Sequence, residues 1–340
     1  MLSYISIKRK YGTNHHYMKS IAIIIPFYGK TPKLLPLWAK TAYQNPTIDF
    51  FIFTDLNTFD FVNKSNVHVI KLQLKDIKSR TTKIIGFEAV LNQPYKLCDY
   101  KPLYGLIFKE EIAGFDFWGH SDISDQLFGD LRSFIPEDKL KQNDKLFVFG
   151  HLVLYRNTTD VNTRPLLPCK DGTWIGFPLV FKTDVITYYD EKGIPALYKF
   201  YGFKYFNGDD SIADIWPGKF LFHSTHGKLT DKSFLGLLKN GKAYALSLSE
   251  RGVIFEEVAY LHFQKRQMMC STSVEQDSWL IVPNQCIPIS DFVNDDLKCY
   301  FAMRENIFYE FKYWIKYELK RLPDKIKYKR ILKLSKKAKL

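Results

Sequence analysis

Short apolar runs that end in turn residues mark the first part of the chain. Residues 21–25 form one such run, closed by Pro26, and largely apolar runs also cover residues 49–53 and 67–72. Runs of this length are typical of parallel strands that are buried on both faces. Residues 31–43 carry apolar side chains at helical spacing. The order strand, helix, strand, strand predicts a Rossmann-like opening to an α/β fold.

The pattern continues with further alternating elements. Residues 74–90 and 103–110 predict helices, and residues 115–118 predict a buried strand that polar residues follow abruptly. Residues 146–155 predict a strand pair or one bent strand. From about 165 to 250 aromatic side chains are scattered among Gly and Asp, which indicates a loop-rich, substrate-facing half. The chain has no internal repeat or low-complexity linker, so one compact domain is the simplest prediction.

Composition indicates a folded protein in a reducing compartment. Apolar residues make up 46% of the chain and aromatic residues 16%, which excludes a disordered chain. The five cysteines are scattered without a C-x-x-C pair or a nearby His cluster. This spacing predicts neither a disulfide framework nor a zinc site. The first apolar run is too short for a signal peptide or a membrane span, so we expect a cytoplasmic protein.

The positive charge is concentrated at the C-terminal end. Of the formal charge of +13, residues 311–340 contribute +10, from twelve Lys and Arg against Glu318 and Asp324. Basic stretches that alternate with aromatic residues bind anionic surfaces, either membrane phospholipid or nucleic acid. We favour the inner face of the cytoplasmic membrane. The alternative is a solvated helix whose apolar face packs on the domain.

An acidic pair follows the predicted strand at 115–118. Asp122 and Asp125 lie where that strand ends, with Asp130 five residues further on. Ligands of open α/β sheets collect at the carboxyl ends of the strands. A hard divalent cation prefers oxygen ligands and bridges nucleotide phosphates, so this pair is a candidate metal site. Helix capping or turn formation is the alternative role for such aspartates.

One imidazole and two cations occur together late in the chain. His262 is a candidate to complete the metal shell, and Lys265 and Arg266 are candidates to hold diphosphate oxygens. The alternative is the exposed end of a surface element.

Other polar residues are candidates for binding the nucleoside or the acceptor. Asp55, Asp99 and Lys101 have groups suited to ribose hydroxyls, a base N–H or phosphate, although an ordinary salt bridge would use the same groups. The acidic run after Gly208 includes candidates for the base that deprotonates an acceptor hydroxyl, with turn formation as the alternative. These candidate bases are Asp209, Asp210 and Asp214.

Five segments together resemble a known family. They are Ile21 to Tyr28 (IAIIIPFY), Phe51 to Asp55, Tyr95 to Pro102, Trp118 to Asp130, and Leu261 to Arg266. In this order they resemble bacterial glycosyltransferase-like proteins encoded with capsule and lipopolysaccharide genes, and GT-A enzymes more generally. The resemblance covers about residues 20–270, and the C-terminal tail lies outside it.

The resemblance implies a GT-A-like Rossmann-type mixed sheet flanked by helices, which uses Mn²⁺ or Mg²⁺ and a nucleotide-sugar donor. It places Pro26 and Tyr28 at the nucleotide, and it implies an Asp-x-Asp metal motif with a late His. This chain has D-x-x-D spacing instead. Alignment backward from Gly129-Asp130 makes Asp125 the direct metal ligand and places Asp122 nearer the ribose.

These observations lead to one expected organisation. We expect an N-terminal extension over 1–17, a glycosyltransferase domain over 18–300 and a basic aromatic helical tail over 301–340. Within the domain, the nucleotide-binding half covers about 18–135 and the acceptor-facing half about 136–270.

The expected activity is transfer of a sugar to an oligosaccharide or lipid-linked intermediate of a surface polysaccharide. One alternative is a metal-dependent hydrolase of phosphate or sugar esters that uses the same aspartates and His262. Another is a nucleic-acid-binding protein that uses the basic tail. Because the first 310 residues carry only +3, no basic groove is indicated and no nucleic-acid partner is expected.

Overall fold

The computed structural model describes residues 18–170, 172–270, 275–289 and 294–338. The predicted extension over residues 1–17 lies outside the described residues. The α-helices in the described residues are α1 (Leu35–Tyr43), α2 (Leu74–Ile85), α3 (Tyr104–Ile107), α4 (Leu131–Phe134), α5 (Glu137–Gln142), α6 (Thr159–Thr163), α7 (Leu179–Lys182), α8 (Ile194–Tyr201), α9 (Asn294–Phe301) and α10 (Ile307–Ala338). Short 3-10 helices span Asn57–Val62, Pro94–Asp99, Lys101–Leu103, Arg164–Leu166, Asp209–Ser211 and Gly227–Leu229, and a π-helical turn spans Tyr189–Gly193.

In the described part of the chain, the strands form three mixed sheets. They are β1 (Ile21–Pro26), β2 (Ile48–Thr54), β3 (Val67–Lys71), β4 (Phe117–Ser121), β5 (Gln126–Phe128), β6 (Lys145–Leu146), β7 (Leu152–Arg156), β8 (Tyr205–Phe206), β9 (Ile212–Asp214), β10 (Leu235–Lys239), β11 (Lys242–Ser249), β12 (Gly252–Val258), β13 (Tyr260–His262), β14 (Met269–Cys270), β15 (Ser278–Val282) and β16 (Gln285–Pro288).

A seven-stranded sheet forms the centre of the molecule, in the order β3-β2-β1-β4-β7-β6-β8. The first four strands are parallel, and β7 pairs antiparallel with both β4 and β6. Strand β1 is buried on both faces: Ile21, Ile23 and Ile25 belong to one apolar cluster, and Ala22 and Ile24 belong to the other. The α/β class and the opening order of strand, helix, strand, strand are therefore confirmed.

A six-stranded sheet, in the order β12-β11-β10-β15-β16-β14, occupies a region predicted partly as loop. Strands β10 and β11 form a hairpin around Asn240-Gly241, both of which have positive φ, at 51° and 76°. Asn-Gly is the preferred pair for a two-residue hairpin turn of this backbone conformation. The loop prediction was wrong here, because it followed the scattered glycines and overlooked this turn signal.

Cysteine pairing also differs from the prediction. A disulfide joins Cys270 and Cys286, which face each other in the paired strands β14 and β16 with their Cα atoms 4.8 Å apart. The prediction of no disulfide was therefore wrong. The two residues are only sixteen positions apart, but the sheet pairing that brings them together is not visible in their spacing.

Helix α10 packs on the body of the protein along one face. Near its start, the Tyr309 hydroxyl donates to the carbonyl of Pro217 at 3.2 Å. Near its end, Ile331 and Leu332 join the apolar cluster on one side of the central sheet, and the Ser335 hydroxyl donates to the carbonyl of Trp174 at 3.2 Å. Among the described residues, no helix has the length and apolar character required to cross a membrane.

Candidate metal centre

The third sheet, in the order β5-β13-β9, gathers distant parts of the chain at the carboxyl end of β4. Asp122 directly follows β4, and Asp125 directly precedes β5. In β13, His262 lies opposite Gln126 of β5 on one side and opposite Asp214 of β9 on the other. Side chains directly opposite in a sheet project to the same face, so this register brings the imidazole of His262 and the carboxylate of Asp214 together.

Asp122, Asp125 and His262 form the core of the centre. The Nε2 atom of His262 lies 3.8 Å from the Asp122 carboxylate and 3.9 Å from the Asp125 carboxylate. One potential ligand atom from each residue lies within 4.8 Å of the others. Two carboxylates and one imidazole suit a divalent cation such as Mn²⁺ or Mg²⁺, and they leave coordination positions open for phosphate oxygens.

The electrostatics of these residues favour a cation at the centre. Burial opposes protonation of His262, but the hydrogen bond to Asp214 and the charge of Asp125 outweigh it and raise the pKa of His262. The same negative field that stabilises a proton on this imidazole stabilises a bound metal ion. Burial also opposes ionisation of Asp122, but Lys101 and His262 outweigh it and lower the pKa of Asp122.

Asp214 orients the ring of His262 through a hydrogen bond on the side away from the two aspartates. Its carboxylate accepts a hydrogen bond from the Nδ1 atom of His262 at 2.7 Å, which leaves Nε2 directed at the two aspartates. Its second oxygen accepts from the side-chain amide of Gln264 at 2.6 Å and from the hydroxyl of Thr225. A carboxylate behind a histidine ligand fixes the tautomer and orientation of the ring. This arrangement favours a positioning role for Asp214 over the predicted role as an acceptor base.

Lys101 lies between Asp122 of the candidate centre and the buried Asp190. Its ammonium donates to the Asp122 carboxylate at 3.0 Å and to the carbonyl of Gly150 at 2.7 Å, and it lies 3.8 Å from Asp190. Burial disfavours its charge, but Asp122 and Asp190 outweigh that effect and raise the pKa of Lys101. Lys101 is therefore a fixed positive charge beside the centre.

Lys265 lies on the other side of Asp125. Its backbone N–H donates to the Asp125 carboxylate at 2.6 Å, and its ammonium donates to the Tyr95 hydroxyl at 2.6 Å and lies 4.2 Å from the centroid of that ring. Gln264 and Lys265 both have positive φ, at 45° and 67°. Left-handed backbone is uncommon for such residues and is often found at functional sites. Here the conformation turns the backbone N–H toward Asp125.

His151 was not predicted as a member of the metal cluster. Its ring stacks on that of His262 with centroids 4.1 Å apart, and its Nδ1 atom lies 2.8 Å from the Tyr260 hydroxyl. Burial, and then the neighbouring His262, hold the pKa of His151 well below its ordinary value, so the ring is neutral at pH 7. Its buried Nε2 atom has no hydrogen-bond partner among the described residues and lies 4.0 Å from Asp214. Only the folded chain reveals this position, because His151 and His262 are 111 residues apart in sequence.

Two predicted binding residues make internal contacts instead. The fully buried Asp99 accepts hydrogen bonds from Lys96 at 2.7 Å and from the backbone N–H groups of Thr187 and Tyr189. The Arg266 guanidinium donates to the side chain of Asn284 at 2.8 Å and to the carbonyls of Lys219 and Phe220. Asp99 and Arg266 therefore stabilise the fold through internal contacts, whereas we predicted that they face a ligand.

The remaining predicted residues lie at or beyond the same sheet edge. Pro26 ends β1. Burial raises the pKa of Tyr28, and the charge of the nearby Asp55 carboxylate raises it further. Because β1, β2 and β4 are parallel, these residues and Asp122 leave the sheet at one edge. Asp210 is exposed just before β9, and the side chain of Asp209 lies outside the described part of the chain.

Sequence comparison places the chain in a family. A model of a family of unknown function, DUF6625, matches residues 23–290, and the chain belongs to that family. No curated protein matches the chain. The matched segment includes all of the residues that form the candidate centre.

Proposed function

We propose that the protein is a metal-dependent glycosyltransferase of the GT-A type, which transfers a sugar from a nucleotide donor to a surface-polysaccharide intermediate. The observation that carries the proposal is the cluster of Asp122, Asp125 and His262 at the carboxyl end of β4. In open α/β sheets the crevice beside such strand ends binds nucleotides. The parallel order β3-β2-β1-β4 supplies that edge.

Different residues of the chain are assigned to the metal, the phosphates and the nucleoside of the donor. Asp122, Asp125 and His262 would hold Mn²⁺ or Mg²⁺, which would supply positive charge against the charge that develops on a departing nucleotide diphosphate. Lys101 and Lys265 place positive charge on either side of the aspartates. Asp55 and Tyr28, at the ends of neighbouring strands, are suited to the nucleoside, and the exposed Tyr95 offers a ring beside Lys265.

Asp210 is the described residue that we assign to the acceptor side. It is exposed and lies four residues before Asp214, which is itself committed to His262. An exposed carboxylate fits the base of an inverting transfer, in which an acceptor hydroxyl loses its proton.

Acceptor dependence tests whether this activity is transfer or hydrolysis. Once a nucleotide that binds with metal has been identified, its nucleotide sugars are incubated with the protein, with and without a panel of mono- and oligosaccharides. Transfer predicts that one acceptor accelerates release of the nucleotide diphosphate and gains mass by one sugar residue. Release of free sugar at one rate, whatever the acceptor, would instead indicate a metal-dependent hydrolase.

A further inference from the structure

Helix α10 has a second apolar face that the described part of the body does not cover. The outer stripe, as we call it, consists of exposed apolar residues spaced three or four apart. It comprises Phe308, Phe311, Ile315, Leu319, Leu322 and Ile326, which are between 47% and 86% exposed. Residues at this spacing lie on one face of a helix.

The outer stripe lies on the side of α10 opposite to its packing face. At 100° per residue, Tyr309, Tyr313 and Ser335 are rotated by roughly 100 to 180° from Phe308. These residues contact the body: Tyr309 reaches Pro217, and Ser335 reaches Trp174. The helix is therefore apolar on two opposite faces. One of the two faces remains uncovered among the described residues.

Exposed basic residues flank and extend the outer stripe. Lys312 and Lys316 lie along one side and Lys325 and Lys329 along the other, and all four are exposed. Beyond Ile326 the line of the stripe continues into charged residues. These are Arg330, Lys333 and Lys337, which are also exposed.

We propose that the outer stripe docks α10 in the plane of an anionic phospholipid surface, with the apolar side chains between the acyl chains and the flanking lysines at the headgroups. Helices that lie in the interface combine a bare apolar face with Lys and Arg beside it. From Phe308 to Ile326 the stripe is about 27 Å long, at 1.5 Å per residue. The inference does not depend on the proposed transfer reaction.

Charge argues against the two occupants that this chain itself offers. A second copy of α10 would bring together two segments that each carry +10 between residues 311 and 340. Residues 1–17 include Lys8, Arg9 and Lys10 and no acidic residue. An anionic lipid surface complements the charge around the stripe, whereas both of these peptide partners repeat it.

Vesicle co-sedimentation of the full-length protein tests the inference without donor or acceptor. The probes are vesicles of phosphatidylcholine with phosphatidylglycerol at seven to three, and vesicles of phosphatidylcholine alone. We expect binding to the mixed vesicles, weaker binding to the neutral vesicles and a loss of binding in high salt. Leu319→Ser and Leu322→Ser should each weaken binding by about tenfold or more, and Lys329→Gln by about fivefold.

Leu248→Ser is the matched control. Leu248 is 59% exposed on β11, comparable to Leu322 at 55%, but it lies outside the stripe. The control should bind vesicles like the wild type, and all variants should keep the wild-type Tm because the changed side chains are exposed. Equal binding by Leu319→Ser and the wild type would overturn the inference. A dimer in gel filtration that Leu319→Ser dissociates would also overturn it, and would assign the stripe to a second copy.

Discussion

At the scale of single residues, Asp214 shows how neighbours determine the role of a carboxylate. Its two oxygens accept hydrogen bonds from His262, Gln264 and Thr225. The bond to His262 orients that ring toward the two aspartates of the centre. The sequence offered Asp209, Asp210 and Asp214 as equivalent candidates. Strand pairing distinguishes Asp214 from the other two, because it lies in β9, opposite His262 of β13.

Asp214→Asn should weaken Mn²⁺ binding by about 10- to 100-fold, because the amide no longer fixes the protonation and orientation of His262. It should also lower the pKa of His262, so that proton competition with the metal begins at a lower pH. Isothermal titration of Mn²⁺ between pH 5.5 and 8 measures both effects. Asp210→Asn is the matched control and should keep wild-type affinity. Unchanged affinity in Asp214→Asn would remove the positioning role.

A buried histidine outside the centre predicts how stability responds to pH. His120 is fully buried in β4, and burial, followed by the charge of Lys101, holds its pKa well below the ordinary value. Its native ring stays neutral as the pH falls, whereas the unfolded chain binds a proton below about pH 6.5. The contribution of His120 to stability is therefore present above pH 6.5 and decreases below it.

Comparison with His120→Gln isolates this contribution. Between pH 7 and pH 5 the wild type should lose about 2 kcal/mol more unfolding free energy than the variant, at about 1.4 kcal/mol per pH unit below 6.5. Urea unfolding at the two pH values measures the difference. An equal loss in both proteins would mean that His120 titrates normally in the native state.

At the scale of elements, the short strand β13 determines whether the centre forms. It lies between β5 and β9 and connects His262 to both neighbours, and its Leu261 is fully buried between Leu127 and Ala213. Leu261→Ala should lower the unfolding free energy by about 2 to 5 kcal/mol. It should also weaken metal binding, because the adjacent His262 loses its support.

Leu248→Ala tests whether burial accounts for the effect of Leu261→Ala. Leu248 is 59% exposed on β11, so its truncation should change the unfolding free energy by less than about 0.5 kcal/mol. Denaturant unfolding and Mn²⁺ titration of both variants provide the comparison. A similar, small effect in both would show that β13 does not support the centre.

The parallel strands could be predicted because their signal is local. Residues 21–25 and 50–53 are apolar without interruption, which is the pattern of strands buried on both faces. The hairpin of β10 and β11 also carried a local signal, Asn240-Gly241, which the prediction did not use. The pairing of β5, β13 and β9 has no local signal, since each strand is three residues long and they are far apart in sequence.

The candidate site, like the fold, could be predicted only where the sequence carries a local signal or a family resemblance. Asp122 and Asp125 stand out because a polar segment follows a buried strand, and the resemblance to glycosyltransferase-like proteins pointed to His262. Asp99 and Arg266 have the right chemistry, but tertiary contacts bury them in structural networks. Nothing in the residues around His151 indicates that its ring stacks on His262.

At the scale of the whole molecule, the proposed activity and the proposed lipid contact use separate parts of the chain. The candidate centre lies within residues 23–290, which match the family model, whereas the outer stripe lies beyond them, in α10. Substitutions in one part should therefore leave the other unaffected. Leu319→Ser should bind Mn²⁺ like the wild type, and Asp125→Asn should bind vesicles like the wild type.

A thermal-shift screen of the wild type and Asp125→Asn against UDP, GDP, CDP and CMP, each with and without Mn²⁺, tests the proposed donor site directly. We expect one nucleotide diphosphate to raise the Tm of the wild type only when Mn²⁺ is present. Asp125→Asn should lose that increase in Tm. Asp138→Asn is the matched control, because Asp138 is exposed on α5, and this variant should keep the increase. If no nucleotide shifts the Tm of the wild type, or if Asp125→Asn responds fully, the proposed donor site is contradicted.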